Sequence, residues 1–302
     1  MMKVGLTGAT GFVGSHVLRE LSSHGHEVTA FVRDDAHAGP VADGGGTPVV
    51  VDLYDRDALT EQLASVDAAI HTASPGDETS AALDTAVVDA ALGAFDGTGK
   101  PYLQISGAWI YGNNPAITDD SPTDPPAFVA WKGAIEQRVL SATGMRGIVI
   151  VAGVAYGDAG GGVPGVLLGS PRDDAGKLIM LGSGEQHWLS VHAADLADVF
   201  RRALEDGSAR GRYVVANELS PTVAELTKAA AVAVGGPGAV PGSDEEAKAR
   251  LGEYFAEVLL LDQGIAARRA RDELGWSPSR PSLADEFREG SYLEAAASRG
   301  AE

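Results

Sequence analysis

Three glycines near the start of the chain have the spacing of a turn that binds phosphate groups. Gly8, Gly11 and Gly14 lie in the segment Thr7–Gly14, directly after the short apolar run Lys3–Leu6. Glycine permits a tight turn and a close backbone approach, and the N-terminus of a following helix attracts an anion. A strand-to-helix turn alone needs only one glycine, so this pattern favours binding of the pyrophosphate of a dinucleotide. The predicted cofactor contacts in this segment are Gly8, Ala9, Thr10, Gly11, Phe12, Val13 and Gly14.

The end of the second apolar run indicates which dinucleotide is expected. An acidic residue there would accept hydrogen bonds from the ribose hydroxyls of NAD, whereas an arginine would pair with the 2′-phosphate of NADP. Val32 stands at the acidic position and Arg33 follows it. We therefore predict NADP(H), with Arg33 as a ligand of the phosphate. A solvated surface arginine is the alternative, because Asp34 and Asp35 adjoin it.

A further cofactor contact is predicted where the third apolar run ends, at Asp52 and Leu53. A carboxylate at this position can accept a hydrogen bond from the amino group of adenine. An aspartate after a strand also commonly caps the following helix, which is the competing interpretation.

These residues require a sheet whose strands end at a common edge. Apolar runs typical of buried strands alternate with segments in which apolar residues recur at helical spacing, such as Val13, Val17, Leu18 and Leu21. This alternation implies right-handed crossovers and a parallel sheet that is covered on both sides. We therefore predict an α/β fold with a Rossmann-type doubly wound parallel sheet. The predicted strands are Lys3–Leu6, Glu27–Val32, Pro48–Val51, Ala68–His71, Tyr102–Ile105 and Gly147–Val151.

The alternation of strands and helices breaks after about residue 155. We predict a dinucleotide-binding domain over residues 1–155 and a smaller, mainly substrate-binding C-terminal lobe over residues 156–302. Within that lobe, residues 190–217 are expected to return to the first domain. The glycine-dense run Gly157–Gly165 fits a lid over the cleft and a linker between the lobes equally well.

Composition excludes several classes of protein and site. The 302 residues carry a formal net charge of −19 without any basic block, which argues against a nucleic-acid partner. The chain has no cysteine, so disulfides, thiolate catalysis and cysteine metal sites are excluded. Its seven histidines lack the spacing of metal ligands, and no metal site is predicted. Because the sequence shows neither a secretory signal nor a membrane-spanning run, we expect a cytoplasmic protein without a membrane partner.

Further motifs carry a resemblance to a known family. They are His71–Ala73, Lys132 with Glu136 one helical turn later, Val191–Ala197 and Leu274–Pro278. Together with the glycine turn, they resemble the short-chain dehydrogenase/reductase superfamily, in particular its extended and atypical, epimerase/dehydratase-like members. The resemblance covers nearly the whole chain. It implies a Rossmann domain with a small substrate lobe, cofactor contacts at His71, Thr72 and Ala73, and a lysine, Lys132, that holds the nicotinamide ribose.

The same resemblance reveals two departures from the family pattern. In the family, a tyrosine separated by three residues from the lysine gives or takes the substrate proton, and a serine hydrogen-bonds the substrate oxygen. Phe128 occupies the tyrosine position before Lys132, and Gly107 occupies the serine position before Tyr111 and Gly112. A positioned general acid contributes about 10²–10⁴ in rate. Ordinary carbonyl reduction is therefore expected to be negligible unless another donor substitutes.

Lys132 and Tyr111 are the predicted catalytic residues. Tyr111 is the first choice of proton donor, because we expect it to end a strand that faces the cleft. An aromatic residue before a glycine more often forms a pocket wall, which is the competing interpretation. The residues predicted to line the substrate pocket are Gly107, Trp109, Phe128, Tyr156, His187 and Trp188.

The predicted function is that of an NADP(H)-dependent reductase acting on a small organic molecule by a variant mechanism. An enone or iminium acceptor fits best, because such acceptors need less help from a protein acid than a simple ketone. A non-redox cyclase or isomerase, or a cofactor-sensing protein of the same fold, is the alternative. An epimerase or dehydratase of nucleotide sugars is a weaker alternative, because that chemistry relies most on the absent tyrosine. A homodimer and a monomer both fit the sequence.

Overall fold

The computed structural model describes residues 1–217 and 219–299 of the chain. Strands are short and rich in valine, isoleucine and alanine, as expected for strands that are buried on both faces. The strands are β1 (Lys3–Thr7), β2 (Glu27–Val32), β3 (Thr47–Val50), β4 (Ala68–His71), β5 (Pro101–Gly107), β6 (Asn114–Ile117), β7 (Arg146–Ala152), β8 (Val154–Tyr156), β9 (Leu178–Ile179), β10 (Ser190–His192), β11 (Gly211–Val215), β12 (Ala239–Val240) and β13 (Gln263–Ile265).

Several helices begin at a side chain that caps them. The side chains of Thr222 and Ser243 each accept a hydrogen bond from a backbone N–H in the first turn of the helix. In each case the side chain of a glutamate in that turn accepts the backbone N–H of the capping residue. The helices are α1 (Phe12–Ser23), α2 (Ala38–Asp43), α3 (Arg56–Ala64), α4 (Ser80–Phe95), α5 (Lys132–Leu140), α6 (Gly162–Leu168), α7 (Ala193–Glu205), α8 (Val223–Ala233), α9 (Asp244–Leu251), α10 (Glu253–Leu259), α11 (Arg269–Leu274), α12 (Leu283–Glu289) and α13 (Ser291–Arg299). Short 3₁₀ helices span Asp35–His37, Ala108–Tyr111 and Ala127–Val129.

The main sheet has seven parallel strands in the order β11-β7-β5-β4-β1-β2-β3. The chain runs outward from β1 to β3 and then crosses back to β4, so the strand order reverses between β1 and β4. Ligands of open α/β sheets bind outside the carboxyl ends of the strands at such a reversal. The sheet thus confirms the predicted Rossmann-type doubly wound fold and places the glycine turn at its expected binding edge.

Helices cover both faces of this sheet. Helices α1 and α7 contribute buried side chains such as Leu18, Leu21 and Phe200 to a core on one face. On the other face, α3, α4 and α5 contribute Leu63, Val87 and other apolar residues to a second core. The sheet and its flanking helices therefore form the rigid support of the glycine turn.

A third apolar cluster lies in the C-terminal region, where α8, α10 and α12 pack together. Strand β11 joins the main sheet beside β7, and α7 packs against α1, which places part of the segment 190–217 on the first domain. The boundary near residue 155 stays a prediction, and residues 218 and 300–302 of the predicted lobe lie outside the described residues. Among the helices of the described residues, none combines the length and the apolar composition that a membrane span requires.

Candidate cofactor and substrate site

The glycine turn between β1 and α1 is tightly packed against the loop that follows β4. Gly8 has a φ of +77°, and a Cβ atom there would lie 2.5 Å from the backbone nitrogen of Ala73. A Cβ atom on Gly14 would collide with the carbonyl oxygen of Gly8. Thr72 fixes the second loop by donating from its hydroxyl to the Thr7 carbonyl oxygen at 2.8 Å. The two loops can approach this closely only because Gly8 and Gly14 lack side chains.

The N-terminus of α1 opens onto this turn. Gly11 is the capping residue and supplies no side-chain hydrogen bond, and the first turn of this fully described helix contains no acidic residue. The first N–H groups of the helix and its dipole are therefore available to an anion. This arrangement fits the predicted pyrophosphate.

A cavity of about 760 Å³ extends from the turn along the carboxyl ends of β1 to β4. Its size and position fit the adenosine and pyrophosphate parts of a dinucleotide. Predicted cofactor residues that line it are Gly8, Thr10, Gly11, Phe12, Val13, Gly14, Arg33, Asp52, Leu53, Thr72 and Ala73. Predicted cofactor residues that do not line it are Ala9, His71 and Lys132.

At the far end of this cavity, Asp52 does not cap the following helix. Asp55 does so, because its carboxylate accepts the Ala58 N–H at 3.0 Å. Among the described residues, the Asp52 carboxylate accepts a hydrogen bond only from the Tyr54 backbone N–H, at 2.9 Å, and Asp52 lines the cavity. Its competing interpretation as a helix cap is therefore wrong, and its carboxylate remains suitable for an adenine amino group.

His71 lies in a buried hydrogen-bond network behind the cavity. Its Nδ1 is 2.6 Å from Thr7 Oγ1, and its Nε2 is 2.9 Å from Asp84 Oδ1. Gln104 donates from Nε2 to Asp84 Oδ2 at 3.3 Å and accepts the Tyr102 hydroxyl at 2.7 Å. A carboxylate only accepts hydrogen bonds, so His71 carries its proton on Nε2 and accepts from Thr7. The His71 ring is thus committed to this network, contrary to the predicted cofactor contact.

Lys132 begins α5 and faces the same network. Its ammonium lies 3.7 Å from Asp84 Oδ2 and 4.3 Å from the centre of the Trp131 ring, and its side chain is 20% exposed. Asp84, by contrast, is buried. The lysine is thereby held by a carboxylate and an indole face, an arrangement in which its charge is neutralised.

A second cavity, of about 280 Å³, adjoins the first at Phe12. It lies at the carboxyl ends of β5 and β7, where the nicotinamide half of a cofactor and a small substrate would meet. Among the predicted pocket residues, Gly107, Trp109 and Trp188 line it. The other lining residues are Phe12, Ala108, Ala152, Gly153, Val154, Ala155, Gly161, Gly162, Val163, Leu189, Phe255 and Gln263.

Aromatic rings form one side of this cavity. Phe255 of α10 contacts Trp109 edge-on, with ring centres 6.2 Å apart, and Phe128 on its other side at 6.1 Å. Phe128 is 41% exposed and does not itself line the cavity. Among the described residues that line this cavity, Gln263 has the only polar side chain apart from the two tryptophans, and its Nε2 donates to the carbonyl oxygens of Ala108 and Gly112. Its amide hydrogens are therefore not available to a substrate.

The prediction that Tyr111 faces the cleft is wrong. Strand β5 ends at Gly107, and the 3₁₀ helix Ala108–Tyr111 turns Tyr111 into the core beside Ile110 and Ile117. Its side chain is 1% exposed, and its hydroxyl has no hydrogen-bond partner among the described residues. Burial raises the pKa of the Tyr111 phenol above its ordinary value. This residue therefore cannot deliver a proton to the cavity.

Two predicted pocket residues also lie elsewhere. Tyr156 is buried beside the cavity wall, where its hydroxyl donates to the Pro281 carbonyl oxygen at 2.7 Å and accepts from Asn217 at 2.8 Å. Burial raises its pKa as well. His187 is half exposed, and its Nδ1 lies 2.8 Å from Asp262 Oδ1. Both side chains are structural, and neither lines the second cavity.

The glycine-dense run after β8 is anchored as a wall of the second cavity. Gly160 lies against the Phe12 ring, where a Cβ atom would meet the ring carbons. Asp158 accepts from the ring of His16 on α1 at 2.9 Å. The Tyr292 hydroxyl accepts the Gly157 N–H at 3.0 Å and donates to the Gly160 carbonyl oxygen at 2.5 Å. These contacts join the first helix and the C-terminal helices to the site.

Sequence reasoning missed His37, Phe255 and Gln263. His37 lines the first cavity beside Arg33, and the only sequence signal is its position four residues after that arginine. Phe255 and Gln263 lie more than a hundred residues after Trp109 in the sequence, and no local pattern connects them with it.

Comparison with known proteins agrees with this geometry. The chain is 27% identical to an uncharacterized protein of Schizosaccharomyces pombe over 97% of this chain and 100% of the relative. It is 28% identical to a 3-diazoavenalumate denitrifying reductase of Streptomyces over 94% of this chain and 98% of the relative. The solved structure of human epimerase family protein SDR39U1 with NADPH superposes with a TM-score of 0.74 at 25% identity, covering 96% of this chain and 99% of that one. The model of the NAD dependent epimerase/dehydratase family matches residues 4–216. The chain belongs to the NAD dependent epimerase/dehydratase family.

Proposed function

We propose that the protein is an NADP(H)-dependent reductase of a small, largely apolar organic molecule. The observation that carries this proposal is the pair of adjoining cavities. The larger one combines the glycine turn with Arg33 at its far end, and the smaller one is lined by aromatic and apolar groups. A redox cofactor and an uncharged substrate would meet beside Phe12.

The residues present fit an NADP cofactor. The open N-terminus of α1 suits the pyrophosphate, Asp52 suits the adenine amino group, and Arg33 suits a 2′-phosphate. Lys132 faces Asp84 and lines neither cavity, so its role as a ligand of the nicotinamide ribose is proposed from the family resemblance. The bound nicotinamide would supply or accept a hydride. The NADPH bound to the human relative and the reductase activity named for the Streptomyces relative support this assignment.

The smaller cavity argues against a nucleotide-sugar substrate. None of the described side chains that line it carries a charge, so they offer no charged partner to a sugar diphosphate. Phe255, Trp109 and Trp188 instead offer aromatic surfaces to a planar, uncharged or cationic molecule.

The acceptor is proposed to be an enone or an iminium. Tyr111 and Tyr156 are directed into the core, Phe128 has no hydroxyl, and the amide hydrogens of Gln263 are already used. An iminium gains a hydride without taking up a proton at the reacting atoms, and an enone spreads the negative charge that it gains. Both suit a cavity with few proton donors.

Absorbance at 340 nm tests this proposal directly. Purified protein and NADPH are incubated with matched ketones, enones and iminium ions that carry an aromatic ring. We expect consumption of NADPH with enones or iminium ions, and little with ketones. The variant Phe128→Tyr is the reference for ordinary chemistry, and we expect it to reduce ketones at least about tenfold faster than the natural protein if the new hydroxyl reaches the substrate.

Two results would contradict the proposal. If the natural protein reduces simple ketones as fast as it reduces the matched enones and iminium ions, the variant mechanism is wrong. Tight binding of NADPH without consumption in the presence of any acceptor would instead favour a non-redox enzyme or a cofactor sensor. A fluorescence titration of NADPH measures that binding independently of turnover.

A further inference from the structure

Arg33 and His37 converge on one end of the larger cavity. Arg33 directly follows β2, and His37 ends the 3₁₀ helix that comes next. Both side chains line the cavity, and the Arg33 Nη2 lies 3.4 Å from the His37 Nε2. The guanidinium and the imidazole can therefore contact the same functional group of a bound ligand.

Asp34 fixes the orientation of the His37 ring. Its Oδ1 lies 2.7 Å from His37 Nδ1 and also accepts the Ala36 N–H at 3.0 Å. The hydrogen bond from His37 is the main cause that holds the pKa of the Asp34 carboxyl below its ordinary value. Because an ionised carboxylate only accepts, His37 carries a proton on Nδ1 and directs its Nε2 toward Arg33.

This geometry couples the binding of an anion to the uptake of a proton by His37. A neutral His37 presents a lone pair on Nε2 to the guanidinium, whereas a protonated His37 would place two cations side by side. A dianionic phosphate that contacts both groups from the cavity offsets that repulsion and gains a second charge-assisted hydrogen bond. The other charged groups that line this cavity in the described part of the chain are the carboxylates of Asp52 and Asp77, and Asp35 lies on the same 3₁₀ helix as His37.

We propose that His37 is a second ligand of the 2′-phosphate of NADP(H), and that it takes up a proton when the phosphate binds. Asp34 is the positioning residue for its ring. The preference for NADP over NAD then weakens as the pH rises, because the unprotonated imidazole has no hydrogen to donate from Nε2. The inference rests on the proposed cofactor site and adds a pH-dependent determinant of its specificity.

Calorimetry with cofactor fragments tests the inference without any turnover. The probes are 2′,5′-ADP, which carries the 2′-phosphate, and 5′-AMP, which lacks it. A phosphate monoester loses its second proton near pH 6, so titrations at pH 6.5 and pH 8.5 compare mainly dianionic forms of the ligand. We expect the affinity for 2′,5′-ADP to fall about tenfold over this interval, the equivalent of about 1.4 kcal/mol, and the affinity for 5′-AMP to change less than about twofold.

Variants assign the effect to one histidine. His37→Gln keeps a hydrogen-bonding tip that does not titrate, so we expect its affinity for 2′,5′-ADP to be independent of pH. His24→Gln is the matched control, because His24 is an exposed histidine at the end of α1 that pairs with Glu20; it should behave as the natural protein does. Titration at pH 7.5 in two buffers of different ionisation enthalpy should show proton uptake that His37→Gln abolishes.

Each other outcome has a distinct meaning. Equal pH dependence in the natural protein and His37→Gln overturns the role of His37 and leaves the reductase proposal intact. Equal affinity for both fragments at pH 6.5 overturns the phosphate site as a whole, including Arg33. If neither fragment binds, both the inference and the proposed cofactor site are wrong.

Discussion

Asp84 is the common partner of the polar side chains behind the larger cavity. It is 4% exposed on its side chain, and it accepts hydrogen bonds from His71 and Gln104 while facing the Lys132 ammonium. In the described part of the chain, this carboxylate and the Trp131 ring are the groups that contact the Lys132 ammonium.

Replacement of Asp84 by asparagine should destabilise the fold markedly. The amide keeps the shape of the carboxylate but removes its charge and one acceptor oxygen, which leaves a buried donor and the lysine without a full partner. We expect the free energy of unfolding to fall by about 3 kcal/mol, measured by urea denaturation. Asp89→Asn on the same helix is the control, since Asp89 and its partner Arg138 are each 35% exposed; such a pair is worth less than about 1 kcal/mol. Equal losses for both variants would contradict the role of Asp84.

The sequence predicted the positions of some residues of the site correctly and those of others wrongly. The spacing of Gly8, Gly11 and Gly14 is a local signal, and the structure places all three at the cavity. The orientation of Tyr111 depends on whether the chain continues as a strand or turns into a 3₁₀ helix after Gly107. Residues two apart share one face of a strand but not of a 3₁₀ helix, so this unpredicted turn leaves Trp109 at the cavity, as predicted, and directs Tyr111 into the core.

Helix α1 is the element that converts the glycine pattern into a binding site. Its first turn lies against the Gly8 carbonyl oxygen, and its N-terminus is directed at the expected pyrophosphate. The strands could be predicted from the sequence, because each buried strand of a parallel sheet is a run of apolar residues. The close approach of the glycine turn to the loop after β4 could not, because no sequence pattern gives the distance between two loops. The contact of Gly8 with Ala73 could be inferred only from the family resemblance.

Substitution of Gly14 by alanine should weaken cofactor binding through this packing. The new methyl group meets backbone, which cannot rotate away, so α1 must shift from the turn. We expect the Kd for NADPH to rise more than about tenfold, equivalent to 1.4 kcal/mol, in a fluorescence titration. Gly93→Ala is the control: Gly93 is exposed on α4, and a Cβ there would make an ordinary contact with Thr60 at 3.6 Å. Alanine favours a helix over glycine by about 1 kcal/mol, so the control should be as stable as the natural protein or more so, with an unchanged Kd.

The complete substrate cavity is assembled from parts of the chain that are distant in sequence. Phe255 comes from α10, and Gln263 comes from β13, which pairs in parallel with β6. The alternation of strands and helices was sufficient to predict the main sheet, because each strand there carries its own apolar signal. Strands β12 and β13 have only two and three residues and no comparable signal, so the pairing of β13 and the cavity wall that it supports could not be predicted.

The C-terminal end of the chain also controls the cavity wall, through Tyr292. Its hydroxyl both accepts the Gly157 N–H and donates to the Gly160 carbonyl oxygen, and burial raises its pKa, which keeps the phenol protonated and able to donate. Tyr292→Phe removes both hydrogen bonds and leaves two backbone groups to find other partners. We expect a loss of about 1–2 kcal/mol in stability, with faster amide hydrogen exchange over residues 157–162 measured by mass spectrometry.

The same variant should separate the two cavities functionally. The wall borders the substrate cavity at Gly161 and Gly162, whereas the larger cavity is bounded there by Phe12 alone. The KM for an acceptor should therefore rise several-fold in Tyr292→Phe. The Kd for 2′,5′-ADP should stay within about twofold of the natural value, well below the tenfold change that corresponds to about 1.4 kcal/mol, because Tyr292 does not line the larger cavity. Tyr254→Phe, at an exposed tyrosine on α10, is the control for removal of a hydroxyl. A Tyr292→Phe protein with unchanged exchange over residues 157–162 and an unchanged KM would show that the loop is held by Asp158 and its own glycines instead.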